Sequence, residues 1–250
     1  MKHFVSVPIV LMVSALLACA FPTWCAAKQR HRPSAGKSKT DELPGIIATI
    51  SKSVVVVTGE TSTGGRELGT GFCVHSGGYL VTALHVVSGG DIKVGVLRKG
   101  YYYALPGTLV AQDKTTDTAI VRVDADLPPL TIMSELISAG ERIAILGFPF
   151  GPQIDRNLVL SASAGIVSAV RPPSDGQPAH QVIQLDVAVD HGDSGGPVFI
   201  QSRPAIAGMV TTTITLDDKG EKQLATHIGL ASSAAAITKL LATIQFTKHK

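Results

Sequence analysis

Residues 190–198 read Asp-His-Gly-Asp-Ser-Gly-Gly-Pro-Val, so three glycines surround a single serine, Ser194. Glycine adopts backbone angles that other residues avoid, and Gly192 and Gly195 therefore permit a sharp turn around this serine. The natural donors to an anion forming beside Ser194 are the backbone N–H groups of Gly192 and of Ser194 itself. The stretch predicts a serine nucleophile with an oxyanion hole made by Gly192 and Ser194.

A serine hydroxyl is a poor nucleophile at neutral pH, and it needs a base and an acid that orients the base. His85 lies just after the strand-like run Tyr79–Thr82, and Asp117 directly precedes the apolar run Thr118–Val123. The chain order His85, Asp117, Ser194 is that of chymotrypsin-type enzymes and differs from the subtilisin and α/β-hydrolase orders. We therefore expect these three residues to form a catalytic triad.

The rest of the body is built from short apolar runs rich in β-branched residues, separated by glycine, proline or charged turns. No alternation of strands and long helices is visible, which argues against a parallel sheet. Two helices are predicted, over Ile46–Ser53 and Ser232–Phe246. The pattern predicts one or two antiparallel barrels closed by a C-terminal helix. The predicted strands are Val54–Thr58, Gly71–His75, Tyr79–Thr82, Ile92–Leu97, Thr118–Val123, Arg142–Gly147, Ala164–Val170, Val182–Val187, Gly195–Ile200 and Ala205–Thr213.

Through most of residues 68–245 the chain resembles trypsin-like serine proteases of the HtrA/Deg branch. This resemblance implies an all-β fold of two six-stranded antiparallel barrels with a C-terminal helix. It also implies that His85 and Asp117 come from the first barrel and Ser194 from the second. The segments that carry it are the glycine-rich hairpin before His85-Val-Val, Thr116-Asp-Thr-Ala-Ile-Val121, Gly147-Phe-Pro-Phe-Gly151, Ala164-Gly-Ile-Val-Ser168, Asp186–Ser194 and Ile228-Gly-Leu-Ala231.

The chain departs from that branch in two ways. HtrA proteases carry a peptide-binding PDZ domain after the protease, whereas this sequence reaches Lys250 just after the predicted final helix, so we expect a protease domain without PDZ. Asp193 stands where the branch usually has Asn. We expect local N–H groups or a nearby cation to hold Asp193, with no zymogen cleavage needed.

The resemblance also points to the residues of the primary substrate pocket. Ala188 corresponds to the base of that pocket, and Thr211 and Thr213 correspond to its wall. None of the three carries a negative charge that would hold an Arg or Lys side chain. The expected pocket is shallow and uncharged, with a preference for small or medium aliphatic residues.

The N-terminus is typical of an export signal, with Lys2 before the apolar run Phe4–Phe21. Two processing sites compete. Cys25-Ala-Ala27 suits a signal peptidase and gives a signal peptide over 1–27, whereas Leu16-Leu-Ala-Cys19 resembles a lipobox, which gives a lipoprotein signal over 1–18 and a membrane tether through lipidated Cys19. We expect a flexible tether over 28–44, a protease domain over 45–250, and a secreted, periplasmic or envelope location.

Composition excludes several other functions. Residues 1–44 hold 6 of the 22 Lys and Arg and 2 of the 19 Asp and Glu, so 16 basic and 17 acidic residues remain in 45–250. This near-neutral body argues against a nucleic-acid partner. The histidines lack metal-ligand spacing, and we expect no metal and no cofactor. The expected partners are protein or peptide substrates, and the oligomeric state is not predicted.

Two other functions compete with an endopeptidase. The chain could be a catalytically inactive binding or scaffold protein on the same fold, tethered in the envelope. The second competing function is an esterase or lipase, because Gly-Asp-Ser194-Gly-Gly superficially matches the motif Gly-x-Ser-x-Gly. The position of Ser194 after the histidine and the acid, together with the missing βα pattern, argues against the esterase.

Overall fold

The structure is a computed structural model that describes residues 42–61, 63–98, 100–149, 158–173, 175–215 and 224–246; for 212–215 and 224–227 only the backbone is considered. The predicted signal peptide 1–27 with Cys19, and the predicted tether as far as residue 41, lie outside the described residues. The end of the turn Gly147–Gly151 also lies outside them. Within the described ranges, no helix is both long and apolar enough to cross a membrane.

The first six strands close into an antiparallel barrel, in the order β1-β2-β3-β6-β5-β4. Valine-rich runs form its interior, because β-branched side chains suit the pleated, half-buried surface of a strand. Gly77 and Gly78, with φ angles of 97° and 75°, make the tight turn between the second and third strands. The strands are β1 Val54–Glu60, β2 Arg66–His75, β3 Tyr79–Ala83, β4 Gly90–Arg98, β5 Tyr101–Asp113 and β6 Thr118–Val123.

The second half forms another six-stranded antiparallel barrel, in the order β11-β8-β9-β10-β13-β12, which a β11–β12 pairing closes. A further strand of two residues, β7, pairs in parallel with β12 at its edge. The prediction of two six-stranded antiparallel barrels is confirmed. The strands of this half are β7 Thr131–Ile132, β8 Arg142–Gly147, β9 Ser161–Arg171, β10 Val182–Leu185, β11 Pro197–Ile200, β12 Ala205–Thr215 and β13 Leu224–Ser233.

Among the described residues, the α-helices beside the barrels are α1 Leu43–Ile50, α2 Leu84–Val87 and α3 Ala234–Leu241. Helix α1 begins at Leu43, two residues before the domain start predicted at residue 45. Pro44 fits the first turn of α1 because an N-terminal helical residue needs no N–H partner, and Leu43 packs against the core. The final helix is shorter than predicted at both ends. It begins only after Ser233, which caps it by accepting a hydrogen bond from the N–H of Ala236 at 3.3 Å, and it ends at Leu241.

The buried side chains form two clusters that determine where the barrels meet. One cluster fills the first barrel and continues into Phe148 and Met209 of the second half, where Ile237 and Leu240 of α3 also pack. The other cluster fills the interior of the second barrel. The shared first cluster holds the barrels together, and the turn that carries Ser194 meets the first barrel at Thr70, whose N–H donates to the Ser194 carbonyl at 2.8 Å.

Candidate active site

His85 and Asp117 form a close pair in the first barrel. His85 lies in α2, directly after β3, and Asp117 ends the turn before β6, the strand that pairs with β3. The Nδ1–H of His85 donates to Oδ2 of Asp117 at 2.6 Å, and the backbone N–H of His85 donates to Oδ1 at 2.9 Å. Because a carboxylate only accepts, Nδ1 carries the proton, and Nε2 of the neutral ring is left as the acceptor.

The backbone of Asp117 is unusual and is held firmly. Its φ of 50° lies in the left-handed region, which asparagine and aspartate tolerate better than most residues. Its carbonyl oxygen accepts from the N–H of Leu84 at 2.9 Å. Three hydrogen bonds from residues 84 and 85 therefore converge on Asp117 and orient its carboxylate toward the imidazole.

The surroundings of His85 favour its protonated form. Burial acts to lower the pKa of His85, but the hydrogen bond and charge of Asp117, joined by the charge of Glu67, outweigh burial. The pKa of His85 therefore lies above its ordinary value of 6.5. The Glu67 carboxylate is the second acid at this ring, with Oε1 4.0 Å from Nε2 of His85.

Ser194 lies in the turn that leads into β11, with Gly192 and Gly195 at φ angles of 102° and 88°. A Cβ at Gly192 would lie 2.1 Å from the carbonyl oxygen of Phe148, so only glycine fits there. The Ser194 hydroxyl donates to the carbonyl oxygen of Thr211 at 3.3 Å. Among the hydrogen bonds of the described residues there is none between Ser194 and His85.

The Gly192–Asp193 peptide is fixed at both of its polar groups. The Gly192 carbonyl accepts from Oγ1 of Thr70 at 2.6 Å, and the Asp193 N–H donates to the carbonyl of Asp190 at 3.0 Å. Within the described part of the chain, the N–H groups of Gly192 and Ser194 have no hydrogen-bond partner. Both N–H groups belong to the turn that carries Ser194, and neither is used by another hydrogen bond there, so both are available to a substrate.

Asp193 is buried, and a local N–H group holds it, as predicted. Its Oδ2 accepts from the N–H of Asp190 at 3.0 Å, and no cation lies within ion-pair distance among the described residues. Burial raises the pKa of Asp193 to about 6. The hydrogen bond from the N–H of Asp190 lowers the pKa of Asp193, whereas the negative charge of Asp190 raises it further.

Of the predicted pocket residues, Thr211 and Thr213 lie in β12, and Ala188 lies in the segment before the Ser194 turn. Thr211 adjoins Ser194 through its carbonyl, and its own Oγ1 donates to the carbonyl of Leu230 at 3.2 Å. Ala188 is exposed between the buried Val187 and Val189, in the segment before the Ser194 turn. Thr213 lies opposite Gly229 in the β12–β13 pair. The structure thus brings the carbonyl of Thr211 to the serine, whereas the hydrogen bonds of the described residues include none between Ser194 and Ala188.

Two residues near the site were not predicted from the sequence. Thr70 supports the Ser194 turn from the other barrel, and its place between Gly69 and Gly71 is the one signal that could have indicated a crowded backbone. Glu67 has no such signal, because only the pairing of the strands brings it to His85. No group of three or more His, Cys, Asp or Glu side chains in the described ranges is placed to hold a metal ion.

Comparison with known proteins agrees with this architecture. A family model described as a trypsin-like peptidase domain matches residues 69–209, which is more than half of the chain. The chain belongs to this trypsin-like peptidase family, as predicted from its motifs.

Its relatives lie in the HtrA branch. A probable periplasmic serine endoprotease DegP-like from Halomonas elongata is 40% identical over 136 residues, which cover 54% of this chain and 27% of that protein. A protein of the same description from Brucella suis is 30% identical over 177 residues, which cover 69% of this chain and 33% of the Brucella suis protein. The matched region thus spans a third or less of these relatives' length.

Solved structures of HtrA-type and other serine proteases share the fold of this chain. The HtrA-type protease AlgW with tripeptide superposes with a TM-score of 0.64 at 26% identity, covering 81% of this chain and 63% of that one. The serine endoprotease from Yersinia pestis gives a TM-score of 0.62 at 24% identity, with coverages of 80% and 65%. The predicted resemblance to HtrA proteases is confirmed.

Proposed function

We propose that this chain is a serine endopeptidase that cleaves protein substrates through an acyl-enzyme, with His85, Asp117 and Ser194 as its triad. The observation that carries the proposal is the 2.6 Å hydrogen bond from Nδ1 of His85 to Asp117. It fixes the tautomer in which Nε2 accepts a proton, which is the form a general base needs. The family's fold and the DegP-like relatives support the same activity.

In the proposed reaction, Ser194 Oγ attacks the carbonyl carbon of the scissile bond while its proton passes to Nε2 of His85. The negative oxygen that forms is stabilised by the N–H groups of Gly192 and Ser194. Protonated His85, stabilised by Asp117, then gives the proton to the leaving amine, and the C–N bond breaks. Water hydrolyses the resulting ester, with His85 again acting as the base.

One observation favours the inactive scaffold as a second candidate. The Ser194 hydroxyl donates to the carbonyl of Thr211 and not to His85. For catalysis this hydroxyl must turn toward Nε2. A single rotation about the Cα–Cβ bond moves a serine hydroxyl between staggered positions, so the proposal requires that substrate binding favour the rotated position.

A fluorophosphonate probe separates the two candidates, because it reacts with an activated serine. We expect the wild-type protein to be labelled at Ser194, and Ser194→Ala and His85→Ala to remain unlabelled. Ser202→Ala removes an exposed serine and should label normally. If the folded wild-type protein takes up no label and cleaves no unfolded protein, the scaffold candidate replaces the endopeptidase.

For the substrate, we propose a preference for small or medium aliphatic residues on the acyl side of the scissile bond, set by Ala188, Thr211 and Thr213. The absence of an acid among these three side chains supports it. In a peptide library, Ala188→Asp should shift the preference toward Lys and Arg. Ala139→Asp, at an exposed position elsewhere, should not. A wild-type profile dominated by Lys or Arg contradicts the proposed pocket.

We also propose that the protein acts outside the cytoplasm, in the periplasm or envelope. The export-like N-terminus supports this, and the curated relatives are named periplasmic. Mass spectrometry of the protein purified from membranes and from the soluble envelope fraction tests it. An N-terminus at residue 28 indicates signal-peptide cleavage, and an acylated N-terminal Cys19 indicates a lipid anchor. Retention of Met1 in a cytoplasmic fraction contradicts export.

A further inference from the structure

We infer that Glu67 gives this protease a preference for a basic residue directly after the scissile bond, on the leaving-group side. The inference rests on the proposed function and adds a specificity residue to it. Its basis is the position of the Glu67 carboxylate at the Nε2 side of His85, at 4.0 Å.

The segment that holds Glu67 forms one wall of the site. Strand β2 runs past Ser194, because the N–H of Thr70 donates to the Ser194 carbonyl at 2.8 Å. Leu68 approaches the same turn, with its Cδ2 3.2 Å from the place a Cβ on Gly192 would occupy. Ser194 also contacts β12, where the carbonyl of Thr211 accepts its hydroxyl at 3.3 Å, and Thr211 belongs to the proposed acyl-side pocket.

The chemistry of the reaction determines which part of a substrate meets Glu67. Nε2 of His85 gives its proton to the leaving amine, so that amine must come within hydrogen-bond distance of Nε2. The leaving amine is the backbone nitrogen of the first residue after the scissile bond. A carboxylate 4.0 Å from Nε2 is therefore a neighbour of that residue.

The charge of Glu67 is available to a substrate. Its side chain is 33% exposed, and no Lys or Arg in the described ranges lies within ion-pair distance of it. The adjacent Arg66 is already engaged, since its Nη1 lies 2.7 Å from Oδ2 of Asp91. A Lys or Arg side chain on the substrate can thus pair with Glu67, and an acidic side chain there is repelled.

The test uses three internally quenched peptides that are identical except for Lys, Ala or Glu directly after the scissile bond. For the wild-type protein we expect kcat/KM for the Lys peptide to exceed that for the Ala peptide by about three- to fivefold, as for a partly exposed ion pair. The Glu peptide should be cleaved more slowly than the Ala peptide. High salt should reduce both differences, because it screens exposed charges.

Variants identify Glu67 as the source of the preference. In Glu67→Gln the Lys-to-Ala ratio should fall to about one, and in Glu67→Lys the order of the Lys and Glu peptides should reverse. Glu42→Gln removes the same charge at an exposed position in front of α1 and should keep the wild-type ratio. A change in the pKa of His85 alone would alter all three rates together and leave their ratios unchanged.

The outcomes for the inference and for the proposed function are distinct. Cleavage of all three peptides at similar rates, or a Lys-to-Ala ratio that survives in Glu67→Gln, overturns the inference and leaves the endopeptidase intact. Failure of wild type and Glu42→Gln to cleave any peptide overturns the proposed function itself. Mass spectrometry of the products verifies that the scissile bond is the same in each peptide.

Discussion

Thr70 Oγ1 in the first barrel donates a 2.6 Å hydrogen bond to the carbonyl oxygen of Gly192 in the second. The same hydroxyl accepts from the N–H of Phe148 at 3.2 Å, and the Thr70 side chain is fully buried. One hydroxyl thus satisfies two backbone groups of the opposite barrel. The direction of the Gly192 carbonyl, and with it the proposed oxyanion hole, depends on a residue that takes no direct part in the chemistry.

Replacing this hydroxyl should impair both folding and activity. Thr70→Val keeps the shape but leaves the Gly192 carbonyl and the Phe148 N–H buried without a partner, which costs about 1–3 kcal/mol of the free energy of unfolding. We expect kcat/KM to fall at temperatures where the variant is still folded. Thr70→Ser keeps the hydroxyl and serves as the control in denaturant unfolding and peptide cleavage. Equal activity of Thr70→Val and wild type would show that the loop holds its form unaided.

Asp117→Asn should separate catalysis from stability. Asparagine tolerates the φ of 50° and can still accept from the N–H of His85. Its neutral amide neither stabilises a protonated His85 nor secures the tautomer, so we expect kcat/KM to drop by about 10⁴.

The melting temperature of Asp117→Asn should change little. Asp117→Ala should be both inactive and less stable, because it also loses the bond to the His85 backbone. A small activity loss in Asp117→Asn would remove Asp117 from the proposed triad.

The pH dependence of cleavage should report the charges around His85. The base works in its neutral form, and the pKa of His85 is raised above 6.5, so activity is lost on acidification below that raised pKa. Glu67→Gln removes one of the charges that raise the pKa of His85, and the acidic limb of kcat/KM should therefore move to lower pH. In Glu42→Gln the acidic limb of kcat/KM should lie at the same pH as in the wild-type protein. An unchanged limb in Glu67→Gln would mean that water screens Glu67 from the ring.

Asp193 should make the protein less stable as the pH rises. Its pKa of about 6 in the folded state lies above the ordinary 3.8, so the folded state binds the proton more tightly than the unfolded state. The stabilisation that this proton gives is complete below about pH 4 and is lost as the pH rises through about 6. Asp193→Asn stays neutral and can still accept from the N–H of Asp190.

Denaturant unfolding measures this effect. Between about pH 4 and pH 7, the stability of wild type relative to Asp193→Asn should fall by roughly 2 kcal/mol. Asp124→Asn, at an exposed carboxylate, should show no such change. A constant difference between wild type and Asp193→Asn across this range would contradict a protonated Asp193.

The strands were predictable where their side chains are buried. All ten predicted strands overlap observed ones, and Thr118–Val123 and Arg142–Gly147 match β6 and β8 in full. The long strand β5 was not predicted, because most of its side chains are exposed and Pro106-Gly107 interrupts the strand-like pattern of the sequence, although the strand itself is continuous. Strand β13 was also not predicted beyond its Ile228–Ala231 motif, and the predicted final helix wrongly included its last residues, Ser232 and Ser233.

The proposed site was predictable only as far as local motifs extend. His85, Asp117 and Ser194 stand in recognisable segments, and the structure pairs the first two. Thr70 lies 122 residues from Gly192, and the bond between them arises from the docking of two barrels. Glu67 reaches His85 only through the alignment of separate strands. Such contacts depend on register and docking, which no short stretch of sequence encodes.

The division of the site between two barrels has a consequence for the life of the chain before it is complete. A partly synthesised chain whose first barrel has folded holds the proposed base and its acid, yet it lacks the proposed nucleophile. Thr70 can also fix the Gly192 carbonyl only after the second half has closed. If the proposed triad is correct, hydrolytic activity can therefore arise only after both barrels have formed and docked.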